Sequence, residues 1–558
     1  MVSRSDRRRG GHSGAILWAG VVLAALLCLG VGRVTFTTWS RPTEYDAQRV
    51  AHFAQALHGH LVEKNTEIVR LTRLLRRADV GGEASAALQP IEVSAALPPV
   101  AHAAARPVPV AVAAAVPTPA AAVGGTPATL ALAFLPAMLA LAPGERAELV
   151  AAAKAVPTSG TYPTRRSERV DIEKTTDFSR RMEEMGGVTV VRRPQLFHSV
   201  VHGTTANAAR NPTLHDEGIL KSLRDNHRES YQRYARQIAA GEPAWADMEL
   251  EHYAPGSEEP IPGIAVMHHA FVDEEGNVCD ASHCIGIRSC EMKVAKPRGA
   301  GVPQDQLYVV AENQGYGFWH FFGENFVRIS IGIDLLLADK SIKVHVVRKN
   351  AFTRDYMQLV GIDESRLIEG AATARVLFYP EPTACGSPSR YISRQTRRML
   401  RAALLLPPIS ALPPAAARPR ILVVKRSGSR KVLNHDDLIA ALFRVAEDTA
   451  DVEVFDDERN LGARKSLELF GTSAIIVGPH GAGLSNIAVA PPGTTVVEFI
   501  VSGRAINLCY MVFATKLALD YHAVTDPKSG HAAPMTVDVE KVASIVRTAL
   551  AAPGRGSG

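Results

Sequence analysis

One part of this 558-residue sequence places a histidine and a glutamate at a spacing that suits acid–base chemistry. His320, Glu324 and Arg328 follow one another at intervals of four residues, so on a helix they share one face. A glutamate beside a histidine can orient the ring and tune it as a general base. The same residues also suit a structural, salt-bridged helix face, and the sequence leaves both interpretations open.

A second group of chemically active residues is a basic loop that follows an apolar run. The run at 420–425 predicts a strand, and Arg426 and Arg430 come directly after it, separated by serine and glycine. Guanidinium groups at the carboxyl end of a strand can hold a diphosphate through bidentate hydrogen bonds. The loop is therefore a candidate diphosphate clamp, with a solvated basic loop as the alternative.

The third group lies in a glycine-rich turn within residues 474–500. Periodicity and turn residues predict strand, tight loop, short helix, turn and strand, which is one βαβ unit of a parallel sheet. Ligands of such sheets bind at the carboxyl ends of the strands, where glycines allow close approach and helix N-termini favour phosphate. The pattern predicts a nucleotide or phosphate pocket. Its candidate residues are His480, Gly481, Ala482, Gly483, Asn486 and Glu498, the last suited to ribose hydroxyls or to capping an edge.

Alternating strands and helices are needed to position these groups. Such alternation runs from about residue 307 to the carboxyl end, and a proline-rich stretch at 407–419 interrupts it as a linker. The pattern predicts an α/β protein with two Rossmann-like domains, 166–406 and 420–558, facing a cleft. Within the first domain, residues 319–337 predict one continuous helix that carries His320.

The amino-terminal end has the features of a membrane anchor. Residues 15–36 are apolar over roughly the ~20 residues that cross a bilayer, and arginines precede them. This charge distribution predicts a cytoplasmic tail, residues 1–14, with the rest of the chain lumenal. The run ends without an Ala-x-Ala site, which favours an uncleaved signal anchor over a cleaved signal peptide.

Residues 37–165 are predicted to form a stem between the membrane and the domains. Apolar residues recur at helical spacing over 44–77, which suits either a solvated stalk helix or a short coiled coil joining two copies. The remainder is rich in alanine and proline and predicts a flexible segment.

Charge and cysteine content narrow the function further. The net charge of +6 is small for this length and no basic helix interleaved with aromatic residues occurs, which argues against nucleic-acid binding. Six cysteines occur, one of them inside the apolar run. The other five suit disulfides in a lumenal compartment, with at least one thiol left free or paired between chains. Their spacing matches no zinc site, so no metal site is predicted.

The order of the three groups resembles glycosyltransferase family 61. The shared features are His-x3-Glu-x3-Arg, an Arg-x3-Arg loop followed by Asn-x2-Asp, Gly-Pro-His-Gly-Ala-Gly-Leu-x-Asn, and later Pro-Pro-Gly and Val-Val-Glu. The resemblance covers about residues 307–498. That family includes plant β-1,2-xylosyltransferase and arabinosyltransferases, and the EGF-domain-specific and protein O-mannose N-acetylglucosaminyltransferases of animals.

The resemblance implies a GT-B fold, a UDP-sugar donor and inversion at the anomeric carbon. It implies that the second domain binds the donor through Arg426, Arg430, the 480–483 loop and Asn486, and that the first domain binds the acceptor. His320, tuned by Glu324, is the first candidate for the base, ahead of His480. One departure is that glycine and asparagine flank Glu324, where the family usually has apolar residues.

The predicted function is therefore an inverting glycosyltransferase of the Golgi membrane, or of the endoplasmic reticulum, with a single-pass type II topology. It would move xylose, N-acetylglucosamine or arabinose from a UDP-sugar to a glycan or protein hydroxyl. No Asp-x-Asp occurs at a strand end, so no metal cofactor is required, although a divalent cation could assist the diphosphate. The alternative is a non-catalytic Golgi protein that binds glycans or acts as a scaffold. A lipase-like hydrolase is disfavoured because no Gly-x-Ser-x-Gly occurs, and an NTPase because no P-loop occurs.

Overall fold

The computed structural model divides the chain into two compact units, Met1–Thr126 and Pro127–Gly558, and all described residues lie in the second. Those residues are 143–155, 160, 162–163, 168–172, 177–184, 187–201, 232, 260–288, 292–294, 301–407, 418–457, 461–501, 507–526 and 532–552. The predicted tail, anchor and 44–77 helix lie outside them. Within the described ranges, no helix is both long and apolar enough to cross a membrane.

Part of the predicted stem belongs to the folded body. Helix α1, Pro143–Lys154, buries Leu149 completely in the main core. Its Glu145 accepts hydrogen bonds from the buried guanidinium of Arg193, 3.1 Å away, and from the backbone N–H of Gln195. The alanine-rich sequence of α1 lacks a strong apolar stripe, so composition alone pointed to a flexible segment.

The first sheet is mixed. Its strands lie in the order β1-β5-β4-β3-β10-β7-β8-β9, with β2 beside β3 and β6 beside β5. Strands β10, β7, β8 and β9 run parallel, as a Rossmann-like domain requires, whereas β3 is antiparallel to β10. The strands are β1 Glu168–Ile172, β2 Thr189–Arg192, β3 Gly263–Val272, β4 Val278–Cys279, β5 His283–Arg288, β6 Met292–Val294, β7 Val302–Val309, β8 Lys343–His345, β9 Leu367–Ile368 and β10 Ala372–Pro380.

Within the described ranges, a 3-10 turn at Glu364–Arg366 precedes β9, and five longer helices accompany this sheet besides α1. They are α2 Phe178–Glu184, α3 Pro194–Val201, α4 at 318–338, α5 Ala351–Leu359 and α6 Arg390–Ala403. The predicted continuous helix at 319–337 is not continuous. Helix α4 comprises an α-turn Phe318–His320, a π-turn Phe321–Asn325, a 3-10 turn Phe326–Arg328 and an α-helix Ile329–Ala338.

The second sheet is entirely parallel among its described strands. They are β11 Arg420–Lys425, β12 Asp451–Asp456, β13 Ile475–Pro479, β14 Thr495–Val501 and β15 Asp520–Asp526. Their spatial order is β12-β11-β13-β14-β15, so the chain direction across the sheet reverses between β11 and β13. In open α/β sheets this switch point is where ligands bind.

In the second half, a helix follows each of these strands along the chain. These helices are α7 His435–Ala446, α8 Gly462–Gly471, the 3-10 helix α9 Ala482–Val489, α10 Cys509–Lys516 and α11 Val539–Ala551. The bounds of β11 match the prediction, and those of β12 to β15 lie within two residues of it. Helix α10 begins five residues later than predicted, after residues 502–506, which lie outside the described ranges.

Arginines of α6 hold the two halves together. Arg394 Nε donates to Lys516 O at 3.0 Å, Arg397 Nη1 to Leu517 O at 2.6 Å, and Arg401 Nη1 to Val489 O at 2.8 Å. The accepting carbonyls lie at the carboxyl ends of α9 and α10, where a positive charge also interacts favourably with the negative end of the helix dipole. Burial lowers the pKa of Arg397 to about 9.

Disulfide use in the described part of the chain follows the prediction. Cys279 and Cys284 form a disulfide between β4 and β5, with their Cα atoms 4.0 Å apart. Cys385 is also disulfide-bonded. Cys509 is a free thiol, which confirms the prediction that at least one of the five cysteines outside the apolar run is left without a disulfide in this chain.

Candidate active site

The first predicted pair, His320 and Glu324, is formed. His320 Nδ1 lies 2.7 Å from Glu324 Oε1, and the backbone N–H of Gly386 donates to the same oxygen at 2.8 Å. The Glu324 side chain is fully buried, whereas 28% of the His320 side chain is exposed. The hydrogen bond to Glu324 raises the pKa of His320 above its ordinary value. With Nδ1–H donated to Glu324, Nε2 is the basic atom of the neutral ring.

Arg328 does not join this pair, because the change of helical pitch at 321–325 turns it toward the first sheet. Its guanidinium is fully buried and donates to the carbonyls of Val310, Ala311 and Pro380. The carboxylate of Glu312 is 3.7 Å away. The predicted shared face of the three residues is therefore wrong for Arg328, which instead ties together the ends of β7 and β10.

The basic loop after β11 reaches the glycine-rich turn. Arg426 Nη1 donates to His480 O at 3.3 Å, and a Cβ added at Gly481 would overlap that guanidinium. A side chain at 481 would therefore displace the Arg426 guanidinium from its present position. Arg426 Nε lies 4.0 Å from Asp457 Oδ2.

Arg430 is the second arginine of this loop. Its backbone φ is +61°, and its Nε has no hydrogen-bond partner among the described residues. Burial, followed by the nearby positive charge of Arg426, lowers its pKa. Two guanidinium groups held this close favour binding of an anion between them.

A second histidine–glutamate pair lies at the glycine-rich turn. His480 Nδ1 is 2.5 Å from Glu498 Oε1, and the hydroxyl of Tyr521 donates to the other carboxylate oxygen. Glu498 is completely buried behind His480. This geometry favours a positioning role for Glu498 over the predicted contact with ribose hydroxyls.

Asn486 lines the cavity, but both ends of its amide form hydrogen bonds within the protein. Its Oδ1 accepts from the hydroxyl of Tyr356 on α5 at 2.6 Å, and its Nδ2 donates to Gly483 O at 3.1 Å. Ala482 and Gly483 begin α9, the predicted short helix, which has 3-10 geometry. Asn486 therefore fixes the turn against the first half of the protein.

A cavity of about 300 Å³ opens at the switch point beside Arg426. Aromatic side chains from both halves and three aspartates form much of its wall. These side chains are Phe318, Phe352, Tyr356, Phe455, Asp355, Asp456 and Asp457, and Ala482, Gly483 and Asn486 line the cavity at the turn.

Aromatic contacts connect the two histidine–glutamate pairs. The Tyr510 ring lies 5.1 Å from the His480 ring and 4.7 Å from the ring of Trp319, the neighbour of His320. A Cβ added at Gly386 would lie 3.6 Å from Cys509 Cβ, so the turn beside Glu324 packs on the start of α10. Tyr510, Cys509 and Gly386 carried no recognisable sequence motif, because only the packing of the two halves brings them to the site.

One cluster resembles a metal-ligand set. Donor atoms of His320, Glu324 and Cys385 lie within 4.8 Å of one another. However, Cys385 is disulfide-bonded and His320 is hydrogen-bonded to Glu324, so these groups do not fit a metal centre.

Fold and site together define an α/β protein with a cavity at the switch point of its parallel sheet and two histidine–glutamate pairs. Residues 318–497 match the family model for glycosyltransferase 61, which confirms the predicted resemblance over that segment. This segment includes the His320–Glu324 pair, the arginine loop after β11 and the glycine-rich turn.

Curated relatives agree with this family. Xylan glycosyltransferase MUCI21 of Arabidopsis thaliana is 30% identical over 19% of this chain and 22% of its own length. Beta-1,2-xylosyltransferase XYXT1 of Oryza sativa subsp. japonica is 24% identical over 35% of this chain and 45% of its own length. EGF domain-specific O-linked N-acetylglucosamine transferase of Xenopus laevis is 34% identical over 20% of this chain and 21% of its own length. The chain thus spans between about a fifth and a half of the length of these relatives.

A solved structure is also similar. The bacterial glycosyltransferase TibC of enterotoxigenic E. coli H10407 matches over 44% of this chain and 78% of its own, with 10% identity and a TM-score of 0.20.

Proposed function

We propose that this protein transfers a sugar from a UDP-sugar to a hydroxyl group with inversion at the anomeric carbon. The observation that carries the proposal is the passage of the Arg426 guanidinium across Gly481 at the switch point. It brings the arginine loop and the glycine-rich turn together, in a segment that matches glycosyltransferase 61.

The proposed donor site has two parts. Arg426 and Arg430, with the backbone N–H groups of 481–483, hold the diphosphate, since guanidinium and amide donors suit its oxygens. The nucleoside enters the cavity, where Phe352 and Phe455 offer apolar surface. Asp457, just after β12, accepts from ribose hydroxyls, as acidic residues at that position of a nucleotide-binding sheet do. This assignment replaces Glu498, which is enclosed by His480 and Tyr521.

The reaction follows from the position of His320. The acceptor oxygen forms its bond to the anomeric carbon while the bond from that carbon to the diphosphate oxygen breaks. The acceptor proton passes to His320 Nε2, and the arginines stabilise the charge that develops on the departing UDP. Because His480 is nearly buried, it is assigned to the support of the turn.

The proposed setting is the lumen of the Golgi membrane, or of the endoplasmic reticulum, with residues 15–36 as a type II anchor and the GT-B arrangement predicted from the sequence. The disulfide between Cys279 and Cys284 supports an oxidising compartment. Xylose, N-acetylglucosamine and arabinose remain candidate sugars, glycan and protein hydroxyls remain candidate acceptors, and dimerisation through 44–77 remains a proposal. No metal cofactor is proposed as essential.

The test is UDP release by the purified full chain from UDP-xylose, UDP-N-acetylglucosamine and UDP-arabinose. Release from one donor that is lost in Arg426→Ala, but kept in Arg418→Ala, would support the proposal, because Arg418 is exposed and lies outside the site. UDP binding without release from any donor would favour the alternative of a glycan-binding or scaffold protein.

A further inference from the structure

Asn325 lies next to Glu324 inside the π-turn of α4, and its side chain is almost completely buried. The turn is opened by one residue relative to an α-helix, with Phe326 N–H donating to Phe321 O as well as to Phe322 O. Such π-turns inside helices are frequent at functional sites. A buried amide here needs partners for both its donor and its acceptor.

Both ends of the Asn325 amide are bonded to backbone near His320. Its Nδ2 donates to His320 O at 3.1 Å, and its Oδ1 accepts from Glu312 N at 3.0 Å. Glu312 lies in the loop between β7 and α4. The amide therefore ties the backbone of His320 to the loop that follows β7.

The amide has no room to move. A Cβ added at Gly315 would overlap Asn325 Oδ1, so the loop closes directly over it. Gly317 N–H donates to Gln314 O at 2.9 Å, which keeps the loop folded just before α4 begins. The position of His320 is thus set by a rigid contact on its backbone, while Glu324 sets the direction of its ring.

We propose that Asn325 is a positioning residue for His320: it locks the π-turn so that the imidazole meets both Glu324 and the acceptor hydroxyl. The inference rests on the proposed role of His320 as the base. It also explains why a polar residue follows Glu324 in this chain, since an apolar side chain could bond neither His320 O nor Glu312 N–H.

Asn325→Ala tests the proposal, and Ser473→Ala is its control. Ser473 is also buried and donates to a backbone carbonyl, Leu469 O at 2.6 Å, but it precedes β13, at the end of that strand opposite the glycine-rich turn. We expect Asn325→Ala to lower kcat about tenfold to a hundredfold with little change in KM for the UDP-sugar, since small misplacements of a reacting group have large effects on rate. Ser473→Ala should leave kcat within about twofold of wild type.

A second readout needs no turnover. Diethyl pyrocarbonate modifies neutral histidine, and mass spectrometry of the full chain follows the pH midpoint of the reaction at His320. We expect Asn325→Ala to lower this midpoint, because a loosened turn weakens the contact with Glu324. Asn325→Asp should raise it, because a carboxylate placed beside His320 favours the charged ring.

The outcomes distinguish a failure of the positioning role of Asn325 from a failure of the proposed transferase function. An unchanged His320 midpoint in both Asn325 variants, or equal loss of kcat in Asn325→Ala and Ser473→Ala, would overturn the positioning role. Absence of UDP release from the wild type would overturn the proposed function, while the midpoint shifts would still decide whether Asn325 holds His320.

Discussion

The two histidine–glutamate pairs differ in how far their imidazoles reach solvent. Of the His480 side chain 8% is exposed, against 28% for His320, while both glutamates are fully buried. A base that accepts a proton from an incoming hydroxyl must be reachable, whereas a histidine that supports a loop need not be. The exposed fraction of each imidazole therefore favours His320 as the base and His480 as support for the loop, whereas the sequence could only rank the two histidines as candidates.

Glu324→Gln is expected to shift the pH dependence of turnover. A proton acceptor is active when neutral, so kcat/KM rises with pH through the pKa of His320, which Glu324 raises above 6.5. Glutamine cannot stabilise the charged ring, so the acidic limb should move to lower pH while the plateau falls. The measurement is the pH profile of UDP release.

Glu364→Gln is the control for this profile, since Glu364 is exposed in the same half of the protein. Its profile should match the wild type. An acidic limb at the same pH in Glu324→Gln and wild type would argue that another group is the base.

Gly481→Ala is expected to weaken UDP binding. The added methyl group would overlap Arg426 Nη1 and push the guanidinium away from the turn. Loss of charged hydrogen bonds of about 1.5–3 kcal/mol corresponds to roughly a tenfold to hundredfold rise in Kd. Isothermal titration with UDP measures it.

Gly428→Ala is the matched control, because nothing lies within 4 Å of a Cβ at that position of the arginine loop. It should bind UDP as the wild type does. Equal affinity of Gly481→Ala and wild type would place the diphosphate elsewhere.

Among the elements, α6 has the largest expected effect on stability. Arg401 donates to Gly471 O, Val489 O and Pro407 O, and its side chain is nearly buried. Arg401→Met would leave these carbonyls without that donor, at a cost of about 1–3 kcal/mol for each group that stays buried. We expect a fall of roughly 2–4 kcal/mol in the free energy of unfolding, measured by urea denaturation.

Arg390→Met serves as the comparison on the same helix, since Arg390 is exposed. Its unfolding free energy should change by less than about 0.5 kcal/mol. Similar losses in the two variants would mean that the buried contacts of Arg401 add little.

Elements with strong local signals could be predicted from sequence, and those set by distant contacts could not. β11 and the βαβ unit around His480 have apolar runs bounded by turn residues, and the structure confirms them. The π-turn of α4 depends on Asn325 meeting a loop that precedes the helix, and on Trp319 packing over Gly323. The spacing of apolar residues over 319–337 predicts one continuous helix and gives no sign of the π-turn. The same limitation applies to Arg328 and Glu498, whose partners lie on other strands.

At the scale of the whole molecule, the two halves share one core. The largest buried cluster includes Phe322 and Met357 from the first half and Leu467 and Leu484 from the second. The arginines of α6 and the hydrogen bond from Tyr356 to Asn486 add polar connections across the same boundary. Halves joined in this way should respond to a ligand together.

UDP binding is therefore expected to protect amides in both halves. A ligand at 100 times its Kd stabilises the folded state by about 2.7 kcal/mol, and exchange that requires global unfolding slows accordingly. Hydrogen exchange with mass spectrometry should show this slowing in α6, Arg390–Ala403, as well as in β11, Arg420–Lys425, although only β11 leads directly into the proposed diphosphate site. Protection confined to residues 420–526 would mean that the halves unfold separately and that the arginine contacts of α6 do not couple them.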